Sequence, residues 1–124
     1  MAKFTPDNTM DSFLNYIKTN TANIHICTTA PAAYASLASV SLGSKAHTIT
    51  GTPGDYASGR QLAVDAASSI NITGSGLMAH VALAKSASSL LIQVTTIPAS
   101  SQASVSSGNI VNTSTYNIQI ADPT

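Results

Sequence analysis

Three histidines, one cysteine, five aspartates and a single arginine are the side chains here equipped for catalysis, metal binding or charged recognition. His25 and Cys27 stand two apart in the alternating run NIHIC, which puts both on one face of a strand, and His80 falls in a second apolar run. A zinc site needs three or four nitrogen or sulfur ligands, and this set lacks a second close pair. The expectation is a half-buried histidine and a small apolar cysteine at a strand interface, with no metal bound. His47, near a glycine-rich stretch, is read the same way. A serine nucleophile needs a base and an orienting acid; there is no G-x-S-x-G elbow, and Gly74-Ser75-Gly76 reads as a turn between strands. Asp7 and Asp11 look like helix-start charges, Asp122 like a tail and Asp55 like a turn former, which leaves no convincing carboxylate pair for glycoside hydrolysis. No catalytic residue and no cofactor are expected, so the chain reads as non-enzymatic.

Arg60 stands out. It is the sole arginine and follows directly on residues 51–59 (GTPGDYASG), the longest turn-rich stretch and an expected exposed loop. Lacking G-K-[ST], that loop is not a phosphate cradle. Arginine suits forked recognition of a carboxylate or a cluster of carbonyls, so Asp55, Tyr56 and Arg60 are the candidate contacts to a partner. The alternative is internal: a strand-start arginine pairing with Asp55 or Asp65. Stacking platforms for nucleic acid or sugar are not indicated, because Tyr16, Tyr34, Tyr56 and Tyr116 are dispersed and Trp is absent.

The elements that must position these groups read mostly as strands. Residues 77–84 and 90–96 form two apolar runs folded back across Lys85-Ser86-Ala87-Ser88-Ser89, a hairpin expected at the centre of an antiparallel β domain. Further strands are expected at 23–28, 40–42 (ended by Gly43), 60–66, 69–73 and 114–120, with another at 46–50. Residues 32–38 could be a helical turn or irregular, and 98–107 an edge strand or an arm. Ahead of them, Thr5 as cap, Pro6 in the first turn and Met10, Phe13, Leu14 and Ile17 at i, i+3, i+4, i+7 predict an amphipathic helix ending near Lys18, closing one end or face of the core. Docking a partner is the sharper reading of that helix. About eight short strands at regular spacing predict a two-sheet antiparallel β-sandwich or jelly roll, with one N-terminal α-helix (residues 1–20) packing on it, in a single domain 1–124.

Composition bounds the partners. Only 8% of residues are charged, against roughly 25% in an average soluble chain. Ser and Thr supply about a quarter of the chain and the formal net charge is zero. An apolar content of 44% argues against disorder. A surface this poor in charge favours association, so a self-partnering chain is expected. Scattered basic residues give no footprint for nucleic acid or an anionic membrane surface. MAKFTPDNTM has no apolar core of a signal peptide, and no window approaches a membrane span. A lone cysteine excludes an internal disulfide, which suits manufacture in a cytoplasm.

Several short motifs occur in a telling order: N-x-H-I-C-x-x-x-P from Asn23 to Pro31, Ser41-Leu42-Gly43, Ser58-Gly59-Arg60-Gln61, Ala79-His80-Val81-Ala82-Leu83 and Ser89-Leu90-Leu91. Ser107-Gly108-Asn109 and Ile118-x-Ile120-x-Asp122-Pro123 close the chain. This order resembles small virion structural proteins of tailed phages and prophages. The resemblance implies a capsid decoration (cement) protein, a homotrimer bound to the major capsid protein lattice or other virion proteins. Its place would be the capsid exterior of the virion, after assembly in the host cytoplasm. A tail or tail-fibre component, or a receptor- or carbohydrate-binding module, is the alternative. The resemblance carries no catalytic residues.

Overall fold

The computed structural model describes residues 6–56 and 59–121. The expected cap at Thr5, Ser58 of the arginine motif and the closing Asp122-Pro123 lie outside the described residues. Asp7–Asn20 form the first helix, α1. Pro6 sits at the N-cap position, one residue earlier than a first-turn proline, and its carbonyl accepts from the Thr9 and Met10 amides. At the other end Thr21 is buried and donates both its amide (3.0 Å) and its hydroxyl (2.7 Å) to the Ile17 carbonyl, which terminates the helix. The buried stripe is narrower than expected. Met10, Leu14 and Ile17 are covered, but Phe13 is 55% exposed. With 3.6 residues per turn, Phe13 stands about 60° round the helix from the middle of that stripe, so it faces outward beside Tyr16.

The strands follow in chain order: β1 Asn23–Cys27, then the short helix α2 Tyr34–Val40, β2 Ser41–Ala46, β3 Gly54–Tyr56, β4 Gly59–Val64, β5 Ile70–Asn71 and β6 Gly76–Leu77. After these come β7 His80–Lys85, β8 Leu90–Thr96, β9 Ser104–Val105, β10 Ile110–Val111 and β11 Tyr116–Ile120. Every pairing is antiparallel, in the orders β2-β1-β7-β8, β11-β4-β3, β10-β5 and β6-β9. The protein is mainly β, with two α-helices where one was expected. Of residues 32–38, the helix takes in those from Tyr34 on and continues to Val40, where a strand was expected to start; Ser36 caps its beginning, its hydroxyl accepting from the Ala33 amide and donating to the Ala33 carbonyl.

Several boundaries differ from the sequence reading, each for a pairing reason. Gly43 does not end a strand; it lies inside β2 and bridges Ile72. A Cβ there would run into the Asn71 carbonyl oxygen, so only glycine allows β2 and β5 to approach so closely. Residues 46–50 do not form the strand expected there, since β2 ends at Ala46. Within the expected loop 51–59, β3 pairs with β4 and sets Asp55 opposite Arg60. Segment 98–107 is tied down by β9 against β6 and is not a free arm.

The hairpin of β7 and β8 forms, closed by a 3-10 turn at Ser86–Ser88, but it is not central as a unit. Asn23 Oδ1 accepts from both the amide (3.1 Å) and hydroxyl (2.9 Å) of Ser86, pinning that turn to the start of β1. β1 and β7 occupy the middle of their sheet, whereas β8 is an edge. Inward residues of both larger sheets meet in one core: Ile24, Ile26, Val81 and Leu83 from one, Leu62, Val64 and Ile118 from the other, with Leu14 and Ile17 of α1. A smaller cluster on the opposite face of the first sheet joins Cys27, Ala82 and Ala84 to Leu37 of α2. No helix among the described residues is long and apolar enough to cross a membrane.

Candidate functional site

The three residues expected to contact a partner do lie together. Arg60 is the second residue of β4, Asp55 is its cross-strand neighbour in β3, and Tyr56 follows. α1 packs on β4 and brings in a residue sequence reasoning had assigned elsewhere: Asp11. Arg60 grips it two-pronged, Nε to Oδ1 at 2.7 Å and Nη2 to Oδ2 at 3.0 Å, while Nη1 donates to Asp55 Oδ1. Asp11 above all, then Asp55, holds the guanidinium charge more firmly than in a free arginine, against the opposing pull of desolvation. The Arg60 side chain is 15% exposed and the Asp55 side chain 88%. The internal alternative for Arg60 therefore describes it, with Asp11 and Asp55 as partners; Asp65 instead accepts from the Thr50 amide and hydroxyl, which lowers its pKa. What this corner offers outward is the Asp55 carboxylate and part of the Tyr56 ring.

Ile120 of β11 pairs with Arg60 on the other side. Asp55, Arg60 and Ile120 thus form a row across the three-stranded sheet, and the N-terminal half of α1 lies over it. Beside that row Thr9, Met10, Phe13 and Ile120 line a shallow apolar hollow. Phe13 and Tyr16, one helical turn apart, stand exposed next to it at 55% and 53%. The docking alternative for this helix named no face, because Phe13 sits at the margin of a stripe that period alone cannot trim. The available signal was the aromatic pair at i, i+3, which shares a face that Met10, Leu14 and Ile17 do not need.

Two of the histidines, His25 and His80, are brought onto one sheet face with the cysteine. His80 is the cross-strand partner of Cys27, and His25 lies two residues along β1. Yet α2 covers the thiol, and no group of three metal-ligating side chains converges among the described residues. Burial pushes the Cys27 thiol up to about 11, far from a thiolate at neutral pH. His25 bonds Ser41 Oγ through Nδ1 at 3.1 Å, its Nε2 is enclosed without a partner, and burial lowers its pKa. Both act as packed strand residues. His47 borders a shallow polar hollow with Lys45 and Asp65, where the lysine ammonium is already spent on the Ser68 carbonyl.

At the opposite end of β11, Tyr116 borders a cavity of about 380 Å³ between the end of β8 and the segment joining β10 to β11. Its phenol is pushed up to about 12, chiefly by burial, with Thr95 alongside offsetting part of the rise without aligning for a hydrogen bond. Comparison with protein-family models, with curated proteins and with solved structures finds no match.

Proposed function

We propose that this chain is a non-enzymatic structural protein that works as a homo-oligomer, a small β-sandwich whose α1 face meets a second copy. The observation that carries the reading is the pairing of Phe13 and Tyr16, both more than half exposed, beside the apolar hollow of Thr9, Met10 and Ile120. Aromatic side chains are enriched at the buried centres of interfaces, where each can bury some 150–250 Å². A hollow and a projecting ring on neighbouring parts of one face let each copy set a ring into the hollow of the next, the head-to-tail contact from which a closed ring of copies is built. The rest of the surface suits repeated docking: few charges need desolvating, and Ser, Thr and Ala side chains lose little rotamer freedom when covered.

Within that class, the motif order favours a phage virion component: a capsid decoration protein, trimeric, seated on the major capsid protein lattice at the outside of the head. A receptor- or carbohydrate-binding tail module using the Tyr56/Arg60 loop would need the guanidinium free for its ligand. The pairing of Arg60 with Asp11 and Asp55 argues for the decoration reading over that one. Replacing Phe13 and Tyr16 together by Asp tests self-association, because it leaves the buried stripe of α1 untouched. Light scattering should then report a smaller species than the parent protein, with an unchanged far-UV spectrum. An identical mass for both would remove α1 from the interface. Mixing purified protein with empty heads of a tailed phage and pelleting them tests the lattice partner.

A further inference from the structure

The core has a second opening that the structural role does not use. Between the last residues of β8 and residues 111–116 lies the cavity of about 380 Å³. Its floor is the apolar surface of Ile26, Met78, Val81, Ile97 and Val111, continuous with the main core. Its mouth carries the exposed hydroxyl residues Ser101, Ser114 and Thr115. Thr95 in the wall donates to Gln93 Oε1 at 2.9 Å, and that carboxamide in turn donates to the Val94 carbonyl, so this side of the opening is held by its own hydrogen bonds. None of the described lining residues is charged.

Size and polarity together define what would fit. Ligand pockets of small molecules begin at about 300 Å³, are largely apolar, and orient their occupant with a few polar groups. An apolar cavity of about 150 Å³ holds one benzene, so one of about 380 Å³ takes a chain of roughly eight to ten carbons or a two-ring system. A carboxylate, phosphate or ammonium head drawn below the rim would lose its hydration there with no counter-charge, whereas a hydroxyl or carbonyl could exchange water for Tyr116, which lines the cavity and whose hydroxyl is enclosed without a partner. We infer that this cavity is a binding site for an uncharged amphiphile, with its apolar body against Ile26, Val81, Ile97 and Val111 and its neutral polar head drawn in beside Tyr116, below the rim of Ser101, Ser114 and Thr115.

The test is a methyl-resolved NMR titration of the full chain with 1-decanol. Decanoate and decylamine, of equal chain length, serve as charged controls. Saturable shifts should appear in the methyls of Ile26, Met78, Val81, Ile97 and Val111, with both charged analogues at least ten-fold weaker. Val111→Trp, which fills the floor, should weaken 1-decanol at least ten-fold while the spectrum of α1 stays unchanged. Shifts that do not saturate, shifts centred on Phe13 and Ile120, or equal binding of the charged analogues would each overturn the assignment. If the tryptophan variant does not fold, the parent protein's methyl map and the charged controls still decide the matter.

Discussion

β11 runs from one end of the core to the other, and its two ends have opposite fates. At Ile120 the core is plugged: α1 lies across the row of Asp55, Arg60 and Ile120, and Asp11 is clamped to the guanidinium. At Tyr116 the same strand borders an open cavity rimmed by hydroxyls. Both ends are built from the same apolar strands, so hydrophobicity does not separate them. The difference lies in what sequence supplies as a lid. A helix can present a continuous apolar stripe, while a Ser/Thr-rich connector cannot fill the volume left beside the core. The hairpin makes the same point: Val81 to Ala84 in β7 are all buried, yet every residue of the equally apolar β8 keeps some exposure. Position in the sheet, not composition, sets burial.

The largest effect expected from that contrast is on truncation. Leu14→Ala removes a fully buried side chain from the plug and should destabilise by about 2–5 kcal/mol in urea unfolding, whereas Val111→Ala at the cavity should cost about 1 kcal/mol or less. Equal costs would mean the cavity end is as tightly packed as the plugged one. Adding a methylene should separate filled core from open cavity in sign, even at the Tyr116 end, since Val64 pairs with Tyr116 and is nevertheless fully buried. Val64→Ile, in the sealed core, should destabilise by about 1–3 kcal/mol, and Val111→Ile should be neutral or stabilise by up to about 1 kcal/mol.

The clamp comes next. Arg60→Ala leaves the half-buried Asp11 without its counter-charge and should lower the melting temperature clearly, while Asp55→Asn, on an exposed side chain, should leave it nearly unchanged. A larger drop for Asp55→Asn would shift the weight of the clamp from α1 to β3. The smallest effect concerns the sheet's other face. Burial depresses the His25 pKa below its ordinary 6.5, so the unfolded chain binds the proton more readily than the folded one. Stability is then fully present above about pH 6.5 and declines as pH falls from the unfolded value through the folded one. Melting temperatures measured across that window should fall with pH, and His25→Gln should flatten the profile.

Much of the local structure was legible. Alternation in NIHIC and in Tyr116, Ile118 and Ile120 gave the correct inward residues, and the amphipathic period gave α1 to within about two residues at its C-terminal end. The misses are long-range. Nothing local says that Gly43 lies against Asn71, that Asp11 reaches Arg60 across 49 residues, or that β9 ties segment 98–107 to β6. Of the site, Asp55, Tyr56 and Arg60 were found as neighbours, but their roles divided. The arginine is consumed inside the fold, and of the exposed aromatic pair on α1, Phe13 was counted in a stripe read as core while Tyr16 was read only as one of four dispersed tyrosines.

Whether α1 is an interface is decided most directly by the mass in solution. Light scattering at about 100 µM should give an integral multiple of the 12.6 kDa chain, three being the expected number, and the Phe13→Asp/Tyr16→Asp variant should give a single folded chain. A parent protein that stays at 12.6 kDa, with Phe13 and Tyr16 in contact with water alone, would contradict the account.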